Sequence, residues 1–476
     1  MMTPYVRPLL AMLAFLIIAS AYCPRALADS IAFSRSDPAP VYTSKYPQFF
    51  LYRQQKEKMK GLPYEDIPER INFAISPFAQ NADSAKNAIC PPLTPPACNV
   101  QSSGITTKPV EIGDLCGRWD MITTLFGPLP TGKTLPPVLE TALTNIFGVA
   151  PGTLNDESII DPTEKFGFFT IPVKYRKRGV RFQLDMRPLD DIGLALKIGC
   201  ADICQQRLFV NLTDTGTAPT SSYPNLTTAN VDKYLMREID TIAEQIGLNI
   251  ECFNAFSIED IRAELYWRHA YLINGNNPGY AQFLIEPFLI LEGSVATGKD
   301  ISPSKAFGVS FGNNGHNSIG GTAGLNLDFT DTIEIGAKAG LTHFFSRRIC
   351  NYRVPNSELQ SGIFPFTADV CYSPGFNWHF GASMAAYHFL ERLSFWLECV
   401  LVGHERDCIQ LLTPDPAFSV KALEDRCSCM RSYFVDVGFN YDISPNLALG
   451  FFWQTPIKQT NAYRSTTVMF SFNATY

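Results

Sequence analysis

The last ten residues of the chain constrain its fold more than any other segment. Apolar residues occupy every second position there, and polar residues fill most positions between them: Val468, Phe470, Phe472, Ala474 and Tyr476 against Thr467, Ser471, Asn473 and Thr475. A period of two is that of a β-strand whose two faces meet different environments. Because chain ends of soluble domains usually fray, an aromatic last residue on such a strand indicates that this strand is held at a closing edge.

This segment resembles the C-terminal strand of bacterial outer-membrane β-barrel proteins, which commonly ends on Phe, Tyr or Trp and carries the assembly signal. The resemblance is at the level of the class, and no specific family is indicated. It implies an outer-membrane location, with outer-membrane lipid and the barrel-assembly machinery as partners. A transmembrane barrel also pairs its last strand with its first, since no open edge survives in lipid. The alternative interpretation is a half-buried strand that ends a soluble sandwich.

The N-terminal residues are typical of a secretory signal peptide. Arg7 precedes an apolar run from Leu9 to Ala21, and Ala26-Leu27-Ala28 offers a small-x-small cleavage site. The apolar run is too short to span a membrane. We therefore expect a signal peptide over residues 1–28, a periplasmic or plug segment over 29–69 and a barrel over 70–476.

Composition fits a barrel that is apolar outside and polar inside. The 476 residues include 12% aromatic residues, and 18% are charged, against about 25% charged residues in soluble domains. Aromatic girdles at the two membrane interfaces would account for the excess of Phe and Tyr. The formal net charge of −6 gives no basic surface for nucleic acid, and no cofactor or metal site is indicated.

The strand pattern predicts an all-β fold, a transmembrane antiparallel barrel of about 12 to 14 strands. Residues 166–175 and 180–186 look like a hairpin that turns at Arg176–Gly179, and a strand over 191–199 follows after a turn at 188–190. Further strands are predicted at 280–291, 305–311, 318–329, 332–344, 374–387, 391–402, 429–441, 444–453 and 464–476. Adding 71–79 and a partner near 118–126 would raise the count from about twelve to fourteen.

Long connections alternate with tight turns, as in outer-membrane barrels with long extracellular loops. The insertion 200–270 is predicted to be partly helical, because Val231, Leu235, Ile239, Ile242 and Ile246 recur at helical spacing. Ser257 and Asp260 form a capping-box pattern before a second predicted helix over 261–272. A helix is also predicted over 138–147.

Cysteine usage predicts disulfides in the loops. Thirteen cysteines become twelve without residue 23, and an even number in an exported chain favours disulfides. Cys350 with Cys371 is the preferred pair, followed by Cys399 or Cys408 with Cys427 or Cys429. The number of cysteines is similar to that of the cross-linked major outer-membrane proteins of Chlamydia, in composition only.

The residues that alternate with the apolar ones should face the lumen. Twelve charged side chains are predicted to line a pore: Lys174, Arg181, Asp185, Arg187, Lys197, Glu286, Asp328, Glu334, Lys338, Arg392, Glu398 and Asp436. Basic residues concentrate on the early strands and acidic residues on the later ones, as in diffusion porins with a transverse field. The alternative is a set of salt bridges that fill a closed barrel.

Three functions remain open from the sequence. The first is passive diffusion of small polar solutes through a narrow, charge-lined lumen, without catalytic residues. The second is a non-transporting, Cys-rich surface barrel that stabilises the envelope or binds a partner. The third rests on His316-Asn-Ser318-Ile-Gly320, which partly resembles the H-x-S-N-G element of outer-membrane phospholipase A and implies a lipid hydrolase that uses His316 and Ser318. Ile319 departs from that element.

Overall fold

The computed structural model describes residues 71–86, 119–148, 167–211, 225–273, 283–329, 333–421 and 430–476, with short gaps at 172, 190, 208, 303, 306–307, 358–359, 361–362, 391, 445 and 461. The predicted signal peptide, residues 29–69, Cys427 and Cys429 lie outside the described residues. No helix in the described residues is long and apolar enough to cross a membrane.

Most of the described chain is β-strand. In chain order the strands are β1 (Ile71–Lys86), β2 (Trp119–Asp120), β3 (Phe168–Thr170), β4 (Val173–Met186), β5 (Ile192–Arg207), β6 (Val210–Asn211), β7 (Phe253–Ile258), β8 (Ile261–Arg268), β9 (Tyr271–Ile273), β10 (Phe283–Val295), β11 (Ser318–Phe329), β12 (Ile333–Phe344), β13 (Arg347–Arg353), β14 (Thr367–Ser373), β15 (Asn377–Leu390), β16 (Leu393–His404), β17 (Cys408–Leu411), β18 (Met430–Ser444), β19 (Leu447–Thr460) and β20 (Ala462–Thr475).

Twelve antiparallel strands close into a barrel, in which β7 and β8 act as one strand with a break. The order is β1-β4-β5-β7/β8-β10-β11-β12-β15-β16-β18-β19-β20, and β20 pairs with β1 to close the ring. The predicted all-β barrel and the pairing of the last strand with the first are confirmed. Along β20, Phe470 is 53% and Phe472 52% exposed on the outside, whereas Thr467 is 1% exposed inside.

The barrel has twelve strands, but they are not the same twelve that the sequence predicted. The predicted hairpin at Arg176–Gly179 is wrong, because β4 runs through it with its alternation intact. Gly179 is needed there for close approach, since a Cβ would lie 2.0 Å from the carbonyl oxygen of Cys200. Residues 305–311 form no strand within the described positions, whereas β1 and β7/β8 do.

One helical prediction and one strand prediction near the barrel wall are also wrong. Residues 261–268 form strand β8, in which Arg262, Glu264, Tyr266 and Arg268 alternate inward with apolar residues that face out. Asp260 does not cap a helix, because its carboxylate accepts the backbone N–H groups of Thr297 and Gly298. The proposed strand near 118–126 is instead β2 followed by a short helix.

The two ends of the barrel differ in their connections. Tight turns join β4 to β5, β11 to β12, β15 to β16 and β18 to β19, which confirms the predicted turns at one end, here the short-turn end. At the opposite loop end, β13, β14 and β17 form a small sheet, and β2, β3 and β6 form another. β9 extends the pairing of β10 at the short-turn end.

Four helical segments form a cap at the loop end, here called the helical cap. They are α1 (Met121–Leu125), α2 (Pro137–Phe147), α3 (Thr228–Val231, continued by a π-turn over Asp232–Met236) and α4 (Ile239–Gln245). The predicted helix over 138–147 is confirmed. Among the described residues of the insertion 200–270, the helical ones lie within 228–245, and 200–207, 253–258 and 261–268 belong to barrel strands.

Apolar faces hold the helical cap on the barrel. Leu139 and Ile146 of α2 are buried together with Val231, Leu235 and Ile242. Their cluster includes inward side chains of the barrel wall, namely Phe78, Tyr175, Ile203, Phe452 and Met469. Burying such side chains contributes roughly 1.5–3 kcal/mol each, so the cap is a packed core and not a set of loose loops.

Candidate functional site: the barrel lumen

Inward-facing charged side chains line the barrel. Nine of the twelve predicted pore residues lie on the inward row of their strands, and Arg187 directly follows the end of β4. The nine are Arg181, Asp185, Lys197, Glu286, Asp328, Glu334, Lys338, Glu398 and Asp436. Seven of these nine side chains are buried from outside solvent, Asp185 and Asp436 completely. The strand period placed them, because successive side chains of a strand point to opposite faces of the sheet.

Two predicted residues lie elsewhere. Lys174 is exposed on the outward row of β4, since the strand continues through the supposed turn and reverses the parity that the hairpin implied. Arg392 lies in the tight turn between β15 and β16, where it is exposed and donates to the carbonyl oxygen of Ile443 at 3.1 Å. Neither residue lines the lumen.

Further inward charges follow from the corrected strands. Lys177 lies where the turn was expected, and Arg262, Glu264 and Arg268 lie where the helix was expected. Glu292 of β10 also points inward. A period-2 reading of residues 174–187 and 261–268 would have found four of these five residues.

Glu259 joins two cations inside the barrel. Its carboxylate lies 2.7 Å from Lys177 Nζ, and Arg181 forms a two-point contact with it at 2.7 and 2.9 Å. Glu259 sits at the break between β7 and β8, where its backbone N–H bonds to the carbonyl oxygen of Gly199. The break in the strand thus turns a carboxylate toward the basic residues of β4.

Other ion pairs join adjacent strands or, for Lys338 and Glu398, reach across β15 from β12 to β16. Lys197 pairs with Glu264, Arg268 Nη1 lies 3.7 Å from Glu286 Oε1, and Lys338 Nζ lies 2.6 Å from Glu398 Oε1. Buried charges of this kind need a partner, because an uncompensated one is costly. Much of the positive charge is therefore neutralised locally, between strands one or two positions apart in the ring, and not held on a wall that faces an acidic wall.

Carboxylates dominate the inward face of five adjacent strands, here called the charged sector (β10, β11, β12, β15 and β16). Its charged residues at described inward positions are Glu286, Glu292, Asp328, Glu334 and Glu398, with Lys338 as the one cation. A lumen wall of this composition has a negative potential that favours cations.

The three strands that close the ring form a contrasting wall, here called the seam sector (β19, β20 and β1). Its described inward side chains carry amides, hydroxyls and apolar groups, and none is Asp, Glu, Lys or Arg. Both amide atoms of Asn72 and of Gln454 are buried without a hydrogen-bond partner in the described residues. Such groups cost about 1–3 kcal/mol each when left unpaired, so this wall favours polar contents in the lumen.

A cavity of about 110 Å³ lies inside the barrel against the charged sector. Its lining combines charged groups with aromatic rings: Arg268, Glu334 and Lys338 with Phe288, Tyr387 and Trp396. Amide and hydroxyl groups of Asn326, Ser383 and Asn440 complete the polar part. Because a water molecule takes roughly 30 Å³, the cavity has room for a few waters or one small solute.

The loop end of the lumen is narrowed by the connection between β10 and β11. Asp260 holds this connection through Thr297, Gly298 and Asn313. Lys177 donates to the carbonyl oxygen of Phe311 at 3.3 Å, and Phe311 belongs to the apolar cluster beneath the helical cap. The connection thus reaches across to β4 and closes the lumen together with the cap.

His316 and Ser318 lie at this narrowed end. Ser318 Oγ is 2.7 Å from Ser294 Oγ and 3.4 Å from Asn313 Nδ2. His316 Nδ1 is 2.9 Å from the carbonyl oxygen of Phe345, so it carries the proton. Burial, aided by Arg347, lowers the pKa of His316 to about 4, which keeps the imidazole neutral at pH 7.

The cysteines do not follow the predicted pattern. Cys350 and Cys371 carry free thiols, because Cys371 lies opposite Arg348 and an irregularity after Ile349 shifts Cys350 out of register. Cys399 is a free thiol on the outward row of β16, opposite Val435, and so lies in the wall and not in a loop. Cys408 begins β17, opposite Ser373.

Comparison with known proteins identifies no family. No protein-family model matches the chain, and no curated protein matches it. Among solved structures, an outer-membrane channel from Pseudomonas putida F1 is 7% identical with a TM-score of 0.42, covering 87% of this chain and 98% of its own. A FadL homologue from Pseudomonas aeruginosa is 10% identical with a TM-score of 0.28, covering 95% and 98%.

A third solved structure is the translocator domain of the autotransporter NalP from Neisseria meningitidis, 6% identical with a TM-score of 0.28 over 90% of this chain and 98% of that domain. These values are too low to carry function. The closed ring, the apolar outer rows and the pairing of the terminal strands are the chain's own features. The chain is a closed antiparallel β-barrel of twelve strands.

Proposed function

We propose that the barrel is a narrow passive channel for small polar solutes, described here in a state closed at its loop end. The observation that carries the proposal is the cavity inside the ring, lined by Arg268, Glu334, Lys338 and Asn440. A barrel that served only as an anchor would gain stability from an apolar filling, whereas buried charges add cost.

The seam sector supports the same proposal from the other side of the lumen. Asn72 and Gln454 present amide groups that lack partners in the described residues, and a hydrated or solute-filled lumen would satisfy them. Small barrels are filled largely by their own side chains, so any pathway through twelve strands is narrow. The solutes are therefore small.

The charge of the lumen predicts which ions pass most readily. Carboxylates outnumber cations on the charged sector, and Lys177, Lys197 and Arg268 of the neighbouring strands are held by Glu259, Glu264 and Glu286. We expect a preference for cations, which differs from the transverse field that the sequence suggested. Transport through the outer membrane, after assembly by the barrel-assembly machinery, is the setting in which this would operate.

The first experiment is single-channel recording from the chain refolded in a planar bilayer. Unitary steps with a reversal potential on the cation side are expected, and Glu334→Gln should reduce the selectivity because Glu334 lines the cavity. Asp202→Asn is the matched control, since Asp202 is an exposed carboxylate on the outward row of β5. Equal effects of the two variants would contradict a lumenal origin of the selectivity.

The helical cap supplies the test of the closed state. Ile242→Asn places an amide in the buried face of α4 and should raise the fraction of time that the channel conducts, because it weakens the cap. Glu244→Gln, on the exposed side of the same helix, is the control. Current that is unchanged by Ile242→Asn would contradict gating by the cap.

A second candidate is a non-transporting surface barrel whose cap and loops stabilise the envelope or bind a partner. The apolar contacts of the cap with Tyr175 and Ile203 favour it, because they close one side of the lumen with a packed core. A silent bilayer with verified insertion, for both the natural chain and Ile242→Asn, would replace the channel proposal with this one.

The lipid-hydrolase hypothesis has less support. Ser318 is engaged with Ser294 and Asn313, and the His316 ring donates to Phe345. The lipid-hydrolase hypothesis requires that the chain release fatty acid from phospholipid vesicles. Ser318→Ala should abolish this release, and Ser304→Ala should retain it.

A further inference from the structure

Six exposed cations lie together on the outside of the barrel, here called the cationic patch. They are Lys174, Arg176 and Arg178 of β4, Arg431 of β18, Lys458 of β19 and Arg464 of β20. All six are exposed. They belong to the outward rows, because their neighbours Tyr175, Lys177, Ser432, Gln459 and Ser465 are buried on the inward side.

Register brings these cations close to one another across neighbouring strands. Arg176 and Arg178 lie opposite Asn81 and Ala79 of β1, and Asn81 lies opposite Thr466 of β20, two residues from Arg464. Lys458 lies opposite Tyr433 of β18, two residues from Arg431. The patch therefore spans a continuous band over β18, β19, β20, β1 and β4.

The height of the band on the barrel is set by the apolar residues below it. On β20 the outward row is apolar from Val468 to Tyr476 and changes to Thr466 and Arg464 toward the loop end. On β18 it is apolar or aromatic from Ile443 up to Tyr433 and then reaches Arg431. An outward apolar band about 25 Å tall is the part of a barrel that contacts lipid chains, so the cations lie at its upper edge, level with the headgroups.

The band is restricted to one side of the barrel. The outward rows of β10, β11, β12, β15 and β16 contain no Asp, Glu, Lys or Arg at described positions, from the short-turn end to the loop end. General anchoring of a barrel by interfacial cations would distribute them around the ring. A cluster on one side indicates a specific contact.

Like charges so close together need counter-charge. Residues two apart on a strand are about 6.6 Å apart, so Lys174, Arg176 and Arg178 repel one another along β4. Asp202, opposite Arg178, is the one carboxylate that the described register places beside them. The chain as a whole has a net charge of −6, so the clustering does not follow from a basic composition.

We propose that the cationic patch binds the phosphate groups of lipid headgroups in the leaflet at the loop end. Phosphate suits the site because guanidinium groups bind its oxygens at two points, and four of the six cations are arginine. Arg431 also lies 5.9 Å from the ring of Trp378, which places an aromatic ring of the interface beside the patch. The proposal depends on membrane insertion of the barrel and not on transport.

The test compares two lipids in vesicles that contain the refolded full chain. Spin-labelled phosphatidic acid and spin-labelled phosphatidylcholine report how strongly the protein surface prefers the phosphate monoester headgroup. The natural chain should prefer phosphatidic acid. The triple variant Lys174→Gln, Arg176→Gln, Arg178→Gln should lose this preference by at least about fivefold, the expected effect of one lost cation at an anionic surface.

The control removes three exposed cations from the loop-end connections: Arg237→Gln, Lys299→Gln and Lys421→Gln. It should leave the lipid preference unchanged. An unchanged preference in the β4 variant, or an equal loss in the control, would overturn the proposal. Displacement of the labelled lipid by inorganic phosphate at constant ionic strength would also overturn it, because the site would then recognise free phosphate.

A second triple variant keeps the test decisive if the β4 variant does not fold. Arg431→Gln, Lys458→Gln and Arg464→Gln remove the other half of the patch on β18, β19 and β20, and the same loss of preference is expected. A silent planar bilayer together with a retained lipid preference would reject the channel and leave the lipid site standing.

Discussion

The seam sector and the charged sector of the barrel place charge on opposite surfaces. β19, β20 and β1 are uncharged at their described inward positions, yet the cationic patch lies on the outside of β19 and β20 and of their neighbours β18 and β4. β10, β11, β12, β15 and β16 are charged inside and uncharged outside. Strands of the same wall therefore differ in which face carries charge: the lumen face in the charged sector, and the outer face on and beside the seam sector.

This inversion teaches that net composition says little about a barrel. The chain is mildly acidic as a whole, but the charged sector has carboxylates on its inner face and the cationic patch lies on the outside of other strands. What matters is parity along each strand, because a one-residue shift exchanges the two surfaces.

Breaking the charge balance inside the charged sector should give the largest effect. Lys338→Met leaves Glu398, 1% exposed at the side chain, without its ion-pair partner. Loss of one partner of a buried pair typically costs about 3–5 kcal/mol. Urea titration of the barrel in lipid should show a loss near the lower limit, and most of it should return in Lys338→Met, Glu398→Gln. Equal stabilities of the single and double variants would show that the pair is not coupled.

Placing charge on the outside of the seam sector should give the next largest effect. Phe472 is 52% exposed among the apolar outward residues of β20, and Phe472→Arg should cost about 2–4 kcal/mol if it lies near the bilayer midplane. Thr466→Arg, on the same row but level with the cationic patch, should cost about 1 kcal/mol or less. Equal costs at the two depths would contradict the assigned membrane boundary.

β18 lies between the charged sector and the seam sector, and its packing can be tested by adding a methyl group. A Cβ at Gly438 would lie 2.1 Å from Trp396 Nε1, and Trp396 lines the cavity and lies 5.7 Å from the Phe452 ring. Gly438→Ala should therefore cost about 1–3 kcal/mol through overpacking, and it should change the conductance. Gly293→Ala is the control, because the nearest atom to its Cβ would be 3.8 Å away.

The smallest effect concerns attachment of the helical cap to the loops of the charged sector. Asp415 accepts the N–H groups of Thr131 at 2.8 Å and of Ala417 at 3.0 Å. Its slight burial opposes ionisation, but these hydrogen bonds outweigh burial and hold the pKa of Asp415 below its usual value. A lowered pKa means that the contact contributes stability above the unfolded-state pKa of about 4 and loses it as pH falls through the folded pKa.

Hydrogen exchange at the Thr131 amide should report this loss. Protection is expected to fall below about pH 4, the usual range of an aspartate, after correction for the intrinsic exchange rate. In Asp415→Asn protection should be lower at neutral pH and insensitive to pH in this range. A parallel decline in the variant would assign the acid sensitivity to another group.

The sequence predicted the closed ring of strands but not the contacts between side chains inside it. The alternation of β20 was sufficient to identify a closing strand, since its partner β1 completes the edge that lipid cannot tolerate. Short turns and most inward charges followed from the same period. One strand was divided into two and another was missed, because local signals competed with parity: Arg176–Gly179 has turn composition, and residues 257–272 fit a capped helix as well as they fit a strand.

The sequence could not predict the ion pairs, for a different reason. Whether Arg268 meets Glu286, or Lys338 meets Glu398, depends on the register between strands that are far apart in sequence. No periodicity within one strand fixes that register. The position of Glu259 depends further on the break between β7 and β8, which has no sequence signal that distinguishes it from a helix start.

Three native thiols on the outer wall lie at different heights along the barrel axis, so their reactivity can report depth in the membrane. Cys399 lies opposite Val435 among lipid-facing residues, Cys200 lies opposite Val180, and Cys204 lies opposite Arg176 within the cationic patch. A water-soluble reagent reaches thiols at the level of the headgroups, whereas lipid chains shield thiols within the apolar outer band. A water-soluble maleimide should therefore label Cys204 first and Cys399 last in an intact membrane, so that labelling order reads the bilayer boundary without any engineered residue.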